Sequence, residues 1–428
     1  MKTAGREITC DVAVIGGGPA GMMAAGTAAH HGADVVLLEK NRRPGKKLLI
    51  TGKGRCNITN ADEDPGSFLE AFGQKKRYLH SLLHSFGVGN TIDFFTGRGV
   101  ALKVERGGRV FPESDRAGDV LAALEGYMAE GGVRVMTRFD IRSLVKRGGR
   151  IESIEGDTGP VAAQSYILAT GGKSYPATGS TGAGYKLAAS LGHTVIPPRP
   201  SLVPVLLDAP WPGEVEGLSL RNVEVTLMRE GRVVAGEFGE ALFTARGMSG
   251  PVVLDLSRMI GTLPREGLEL SIDLKPALDM KTLDARVRRD LGENATRLLK
   301  NSLGGLLPAS LIPVILRLSG VEPEKKAGEV TREERKSLCA LLKDLRAPVA
   351  GLEGFDRAIV TAGGVSLDEV DTRSMRSRLI DNLFFAGEIL DIDGPTGGFN
   401  LQLCWSTGYC AGSAAAAGLS RHGGNRGK

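Results

Sequence analysis

Four apolar residues, Val12-Ala13-Val14-Ile15, run straight into the turn Gly16-Gly17-Gly18-Pro19-Ala20-Gly21, and an alanine-rich stretch from Met22 to Ala29 follows. The pattern predicts strand, tight turn and helix, the first half of a dinucleotide-binding βαβ unit. Each glycine has a reason. Gly16 permits the sharp turn out of the strand, Gly18 keeps side-chain atoms away from a pyrophosphate, and Gly21 lets helix and strand pack closely. The helix start, with Pro19 and Ala20, offers free N–H groups and partial positive charge to phosphate. A second strand, Val35 to Leu38, ends at Glu39, eighteen residues after Gly21. That is near the spacing of the acid that binds a ribose hydroxyl, and a carboxylate there disfavours a 2′-phosphate.

Residues 40–60 carry seven cations (Lys40, Arg42, Arg43, Lys46, Lys47, Lys53 and Arg55) and no acid. Gly45, Gly52 and Gly54 break the run into loop. It begins where a nucleotide site opens, at the C-terminal end of the second strand. Lys40, Lys46, Lys47, Gly52, Arg55, Cys56 and Asn57 are therefore candidate cofactor contacts. Lys46, Lys53 and Arg55 are expected to face a pyrophosphate or an anionic substrate group, and Asn57 to add a neutral hydrogen bond. Arg55 beside Cys56 would lower the thiol pKa, but a lone cysteine is more often a packing residue, and Cys56 stays outside the catalytic set.

The strand Tyr166 to Ala169 runs into Ala169-Thr170-Gly171-Gly172, small residues beside which a dinucleotide can lie. Ile141, at the head of a strand over 141–145, joins them as a candidate contact. Phe68 to Phe95 and Ala117 to Met128 show helical spacing, and Gly97 to Pro112 a hairpin. The Gly/Ser/Thr-rich loop before a helix at 183–191 is either a second anion cradle or an ordinary helix-initiating turn. Pro197, Pro198, Pro200 and Pro204 mark a crossover between domains.

The period then changes. Val223, Val225 and Leu227, and later Leu268, Leu270, Ile272 and Leu274, alternate with polar residues, as antiparallel strands with one wet face do. A turn is expected at Gly247-Met248-Ser249-Gly250-Pro251. Val287, Leu291, Ala295 and Leu298 restore the helical period, and further helices are read over 303–318 and 333–345. The expected division is 1–196 for the first part of a nucleotide-binding domain, 197–275 for a β-rich domain, and 276–346 for an α-helical insertion. A return segment over 347–357, the second part of the nucleotide-binding domain over 358–419, and a disordered tail over 420–428 complete it.

Composition excludes little else. The formal charge of +5 over 428 residues does not argue for nucleic acid or a membrane surface. No apolar run reaches a membrane span, and no leader peptide is read at the start. Five scattered cysteines form neither a disulfide framework nor a zinc pattern, so a reducing cytoplasm and no bound metal are expected.

The blocks VIGGGPAGMMAA, LLEKNRRPGKKLLITGKGRCNITN, ATGGKSYPATGSTGAGY, MSGPVVLDLS, VTAGGVSLDEV and LFFAGEILDIDGPTGGFNLQ together resemble the BaiN/YhiN-like family of bacterial NAD(P)/FAD-dependent oxidoreductases. They follow one another over nearly the whole chain. The resemblance implies an α/β fold: a Rossmann-like FAD-binding domain made from both chain ends, with an inserted antiparallel β domain and a small α-helical insertion. It implies FAD as cofactor and a small organic substrate such as an enone. No second GxGxxG with its acid is present, so NAD(P)H would bind transiently. An oxidase of a small amine or ketone, and a non-catalytic flavin redox sensor or RNA-associated module, remain open. No aromatic-rich basic stripe supports RNA binding. No side chain stands out as a catalytic acid or base. Two departures from the family pattern are Ala245 after Thr244, where members usually carry Thr-His, and Cys404, where a small alanine is usual.

Gly387 and Glu388 end a late strand expected to lie beside the first one. This places Glu388 near the pyrophosphate and ribityl chain through its backbone N–H. Gly397, Gly398, Asn400 and Leu401 open the last helix, and their N–H groups are expected at flavin N1 and O2. Two glycines that merely shape a turn, with Asn400 as helix cap, are the plainer reading of that segment.

Overall fold

The computed structural model describes residues 7–419. The chain begins β1 (Ile8–Ile15), α1 (Pro19–His30), β2 (Val35–Glu39) and β3 (Thr59–Asn60). Short helices α2 (Pro65–Glu70), α3 (His80–Ser85) and α4 (Val88–Thr96) follow. The continuous helix read over 68–95 is thus broken, and one break falls at Gly73, which has φ +53°. Next come the hairpin β4 (Leu102–Glu105) and β5 (Arg109–Pro112), then α5 (Ala117–Glu130), β6 (Arg134–Thr137), β7 (Ile141–Arg147), β8 (Arg150–Gly156), β9 (Pro160–Leu168) and α6 (Ala183–Ser190). The proline-rich crossover is itself a strand, β10 (Val195–Ser201). It belongs to a two-stranded sheet, where missing N–H donors are tolerated.

The middle of the chain holds β11 (Val205–Leu207), α7 (Trp211–Glu214), β12 (Ser219–Arg229), β13 (Arg232–Thr244), β14 (Gly247–Ser249), α8 (Pro251–Ile260) and β15 (Leu268–Asp273). Then come α9 (Met280–Glu293), α10 (Ile312–Ser319), α11 (Arg332–Lys343) and β16 (Leu345–Leu352). The strands close an antiparallel barrel in the order β11-β14-β13-β12-β15-β16. Their alternation is the cause: Leu268, Leu270 and Ile272 are buried while Glu269, Ser271 and Asp273 are not. Three sequence readings change here. The turn over 247–251 contains the barrel strand β14, with the chain turning at Gly250 (φ +94°). The helix read over 303–318 is confined to α10, with Gly304, Gly305 and Pro308 before it. Most of the return segment is β16, the strand that closes the barrel.

The chain ends with β17 (Val360–Val365), β18 (Val370–Asp371), β19 (Arg376–Ser377), β20 (Leu383–Phe385) and α12 (Phe399–Ala417). Two compact units result. One contains the described residues up to Pro200 together with those from Ala358 on, and the other contains Ser201–Arg357. The 420–428 segment lies outside the described residues. The first unit is built on a sheet in the order β18-β19-β20-β9-β1-β2-β6, with β7 and β8 joined through β9. Pairs β1–β2, β1–β9, β2–β6 and β9–β20 are parallel. Val12 to Ile15 and Val35 to Leu38 are buried, as continuous apolar strands with both faces covered must be. The late strand β20 lies beside β9 rather than β1. β9 itself pairs with β1 from Ile8 to Ile15 and occupies that flank.

Candidate functional site

The glycine turn sorts itself by what surrounds each position. Gly16 has φ +106°, and a Cβ there would stand 2.5 Å from the carbonyl oxygen of Ala169. A Cβ at Gly21 would stand 1.9 Å from the carbonyl oxygen of Gly16. Both glycines are explained by packing. At Gly18 a Cβ would meet nothing within 4 Å, although Gly18 caps α1 ahead of Pro19. The open side of the turn is therefore the start of α1, where phosphate is favoured.

Glu39 closes the adjoining edge. It is buried, and its Oε2 accepts from Gly17 N at 2.8 Å while Oε1 accepts from Asn41 N and Nδ2, both at 2.7 Å. The acid is thereby aimed at the turn. The basic loop is stitched to residues 174–181. Lys40 donates to Thr181 Oγ1, Lys46 to the carbonyl of Ala177, and Lys47 to Ser174 Oγ. The Gly/Ser/Thr-rich loop is thus a docking partner of the lysines. Arg55 departs from expectation. It pairs with Glu105 at 2.8 Å and Asp115 at 3.2 Å and lies 4.0 Å over the Phe111 ring, so two carboxylates neutralise its charge at the β4–β5 hairpin. Lys53 is exposed with φ +59°. Gly52 has φ +55°, and a Cβ there would lie 3.1 Å from Asn57 N. Cys56 is buried, and burial pushes its thiol up to about 12.

Among the described residues three buried side-chain oxygens have no hydrogen-bond partner: Asn57 Oδ1, Thr170 Oγ1 and, on α12, Ser413 Oγ. Thr170 follows Ala169 at the end of β9, beside Gly16. Gly171 has φ +70°, and a Cβ at Gly172 would meet Thr361 Oγ1 at 2.4 Å. Ile141 begins β7, two residues after Phe139, whose N–H donates to the Glu39 carbonyl. Its side chain packs against the core of the first unit.

The late segment meets the glycine turn through Gly387, where a Cβ would stand 2.7 Å from that of Ala20. The Gly387 N–H donates to Thr407 Oγ1. The Glu388 carboxylate is held within the chain. Oε2 accepts from Lys47 Nζ at 2.8 Å, and Oε1 from Thr361 N at 2.7 Å and Ser174 Oγ at 2.9 Å. Gly398 (φ +104°) caps α12, and a Cβ there would stand 2.3 Å from the backbone of Thr59. The close approach it serves is to β3, so a side chain at 398 would break packing before it tested any ligand. Asn400 does not cap its own helix. Its Oδ1 accepts from Gly394 N, and Nδ2 donates to the carbonyls of Gly394 and Pro395, which clamps the preceding loop. Leu401 is partly buried against the core. The N–H groups of Phe399, Asn400 and Leu401 lie in the first turn, where no intrahelical acceptor exists.

Sequence reasoning missed the residues that fix this helix start. Thr59 Oγ1 donates to Gln402 Oε1 at 2.7 Å, Trp405 Nε1 to the carbonyl of Ile58 at 2.9 Å, and Asn60 Nδ2 to the carbonyl of Gly397 at 3.3 Å. These partners are over three hundred residues apart, and no local period announces them. In the second unit, Ala245 is exposed at the turn joining β13 to β14. Among the described residues there is no cluster of groups able to hold a metal ion and no helix long and apolar enough to cross a membrane.

An open pyrophosphate turn, an aimed carboxylate and the orphaned buried oxygens of Asn57 and Thr170 fit an ADP-containing dinucleotide. Residues 10–414 match the model of the HI0933-like protein Rossmann domain. The chain is 35% identical over 409 residues to a protein of Clostridium scindens named 3-dehydro-bile acid delta(4,6)-reductase, covering 95% of this chain and 98% of that one. It is 32% identical to a ribosomal RNA dihydrouridine synthase of Escherichia coli, again covering 95% and 98%. Among solved structures, a 3-ketosteroid-delta4-(5alpha)-dehydrogenase from Rhodococcus jostii RHA1 superposes with a TM-score of 0.54 at 17% identity, covering 96% of this chain and 97% of that one. A flavocytochrome c3 fumarate reductase gives 0.53 at 17%, covering 96% and 78%. At such identity these two structures speak for the fold.

Proposed function

The chain belongs to the HI0933-like family of FAD-dependent oxidoreductases, and from that premise we propose that it reduces a carbon–carbon double bond conjugated to a carbonyl, with NAD(P)H as the source of electrons. The observation that carries this reading is the 35% identity, across 95% of the chain, to a protein named as a reductase of such a bond in a dehydro bile acid. The relatives named as dihydrouridine synthases point to the same bond type, because the uracil C5=C6 bond is conjugated to the C4 carbonyl.

Bound FAD supplies hydride transfer in this chemistry. The protein's part is to hold it. The start of α1 and the open face of Gly18 would receive the pyrophosphate, and Glu39 would receive the adenosine ribose. The first turn of α12 would offer its N–H groups to the flavin, where they would favour negative charge on the ring. Lys47, paired to Glu388 and Ser174, ties the basic loop to the late segment. The substrate takes a hydride at the carbon β to its carbonyl and a proton at the α carbon.

A small enone is the preferred acceptor, and a uridine within RNA is the alternative that the two dihydrouridine synthase relatives favour. Purified protein should be yellow and release FAD on denaturation. Under nitrogen, NADH or NADPH should bleach the flavin. Bleaching by an amine alone would support an oxidase, and no bleaching by any donor would support a sensor.

A further inference from the structure

Helices α1 and α12 run parallel. A Cβ at Gly408 would stand 2.5 Å from the carbonyl oxygen of Ala20, and one at Gly412 would stand 2.4 Å from that of Ala24. The two contacts advance together along both helices. Phe399 therefore begins α12 roughly two and a half turns, or about 13 Å, beyond the start of α1. If the pyrophosphate lies at the start of α1, the start of α12 lies where the ribityl chain and ring extend. β3 is pressed against that point, since the Thr59 backbone leaves no room for a Cβ at Gly398. Asn57 is two residues before Thr59, no more than about 7 Å along the chain.

Asn57 Oδ1 is buried without a donor at that place. A buried acceptor left unmade is unfavourable, and such atoms call for an explanation. The backbone is held in an uncommon form to place it. Gly52, Lys53, Gly54 and Cys56 all have positive φ, and Cys56, at +63°, is buried immediately before Asn57. Left-handed non-glycine residues cluster where strain serves a site.

We propose that Asn57 is a cofactor-binding residue that accepts the N3–H of the flavin ring, so that the pyrimidine edge is read between this carboxamide and the first turn of α12. This rests on the FAD reading above. The oxidised ring has one N–H, at N3, flanked by two carbonyl oxygens. The helix start supplies donors and cannot satisfy N3–H; Asn57 Oδ1 supplies the missing acceptor, and its Nδ2 can donate to an adjacent flavin carbonyl. Of the other FAD donors, the adenosine ribose hydroxyls and the adenine amine belong to the Glu39 end, and the ribityl hydroxyls to the stretch between pyrophosphate and ring; only 3-methylation of the ring removes the N3 donor alone.

The test compares FAD with 3-methyl-FAD, which lacks the N3 donor, by flavin fluorescence titration of the apoprotein. The parent should bind FAD at least tenfold more tightly than 3-methyl-FAD. Asn57→Ala should weaken FAD about tenfold and abolish the discrimination. Asn57→Asp, which keeps an acceptor, should retain it. A purely structural role would weaken both flavins equally and leave the ratio intact. Discrimination by Asn57→Ala equal to that of the parent overturns the proposal while leaving the FAD reading in place. Failure of the parent to bind either flavin overturns both.

Discussion

Gly408 of α12 lies so close to Ala20 of α1 that a single added carbon would stand 2.5 Å from the Ala20 carbonyl oxygen. The last helix is thereby pinned to the first at the glycine motif itself, and the cofactor domain is completed by residues nearly four hundred positions apart. Gly408→Ala should lower stability by about 1–3 kcal/mol through overpacking. Gly126→Ala, in α5 with nothing within 4 Å, should raise it by up to ~1 kcal/mol. Thermal unfolding of the two variants checks both signs, and equal midpoints would show that α1 and α12 are not in close contact.

Glu39→Gln keeps one acceptor for Gly17 or Asn41 but removes the charge. FAD affinity should fall by about 1.5–3 kcal/mol, tenfold or more, as a charge-assisted hydrogen bond to the ribose is lost. Titration of apoprotein with FAD measures it, and a dissociation constant within twofold of the parent would remove Glu39 from the ribose site.

No thiol is poised to react. Burial pushes Cys10, Cys56 and Cys404 up to about 12, and Cys339 and Cys410 up to about 11. Iodoacetamide at pH 8 should leave the native protein essentially unlabelled and modify all five cysteines in denaturant. Fast native labelling of Cys56 would contradict this and show a reactive thiol in the basic loop.

His193 is buried with its Nε2 against Ser377 Oγ at 2.9 Å, and burial holds the imidazole below its usual range despite the nearby Glu369 carboxylate. The unfolded chain then binds a proton near pH 6.5 that the folded one resists. Stability should be unaffected above that pH and fall as pH drops below it, by at most about 1.4 kcal/mol per unit. Unfolding midpoints from pH 8 to 5 should show this loss, and His193→Gln should flatten it. An unchanged slope in the variant would place the acid sensitivity elsewhere.

The cofactor turn was legible because its constraints are local. Strand, glycines, helix and Glu39 all lie within 39 residues, and each glycine answers to a neighbour or to an open side. The barrel strands were legible where alternation ran unbroken, as at Leu268 to Leu274. β16 was hidden because Pro348 and Gly351 disguise it, and only pairing with β11 and β15 defines it as a strand. The partners of Arg55 could not be read from its surroundings, since Glu105 and Asp115 reach it through a hairpin fifty residues later. Asn57 drew notice as one polar residue in a basic loop; its unpaired, buried oxygen is a property of packing alone.

The most direct test of the proposed reaction begins with FAD-loaded protein reduced under nitrogen and mixed with a conjugated enone in deuterated and ordinary buffer. The account predicts stoichiometric return of the oxidised-flavin absorbance. It also predicts a saturated product that in deuterated buffer carries deuterium at both the α and the β carbon, because the proton comes from solvent and the hydride-donating N–H of reduced flavin exchanges with it. The contradicting result is a flavin that stays reduced with enones and with uridine-containing RNA alike, and is reoxidised only when oxygen is admitted.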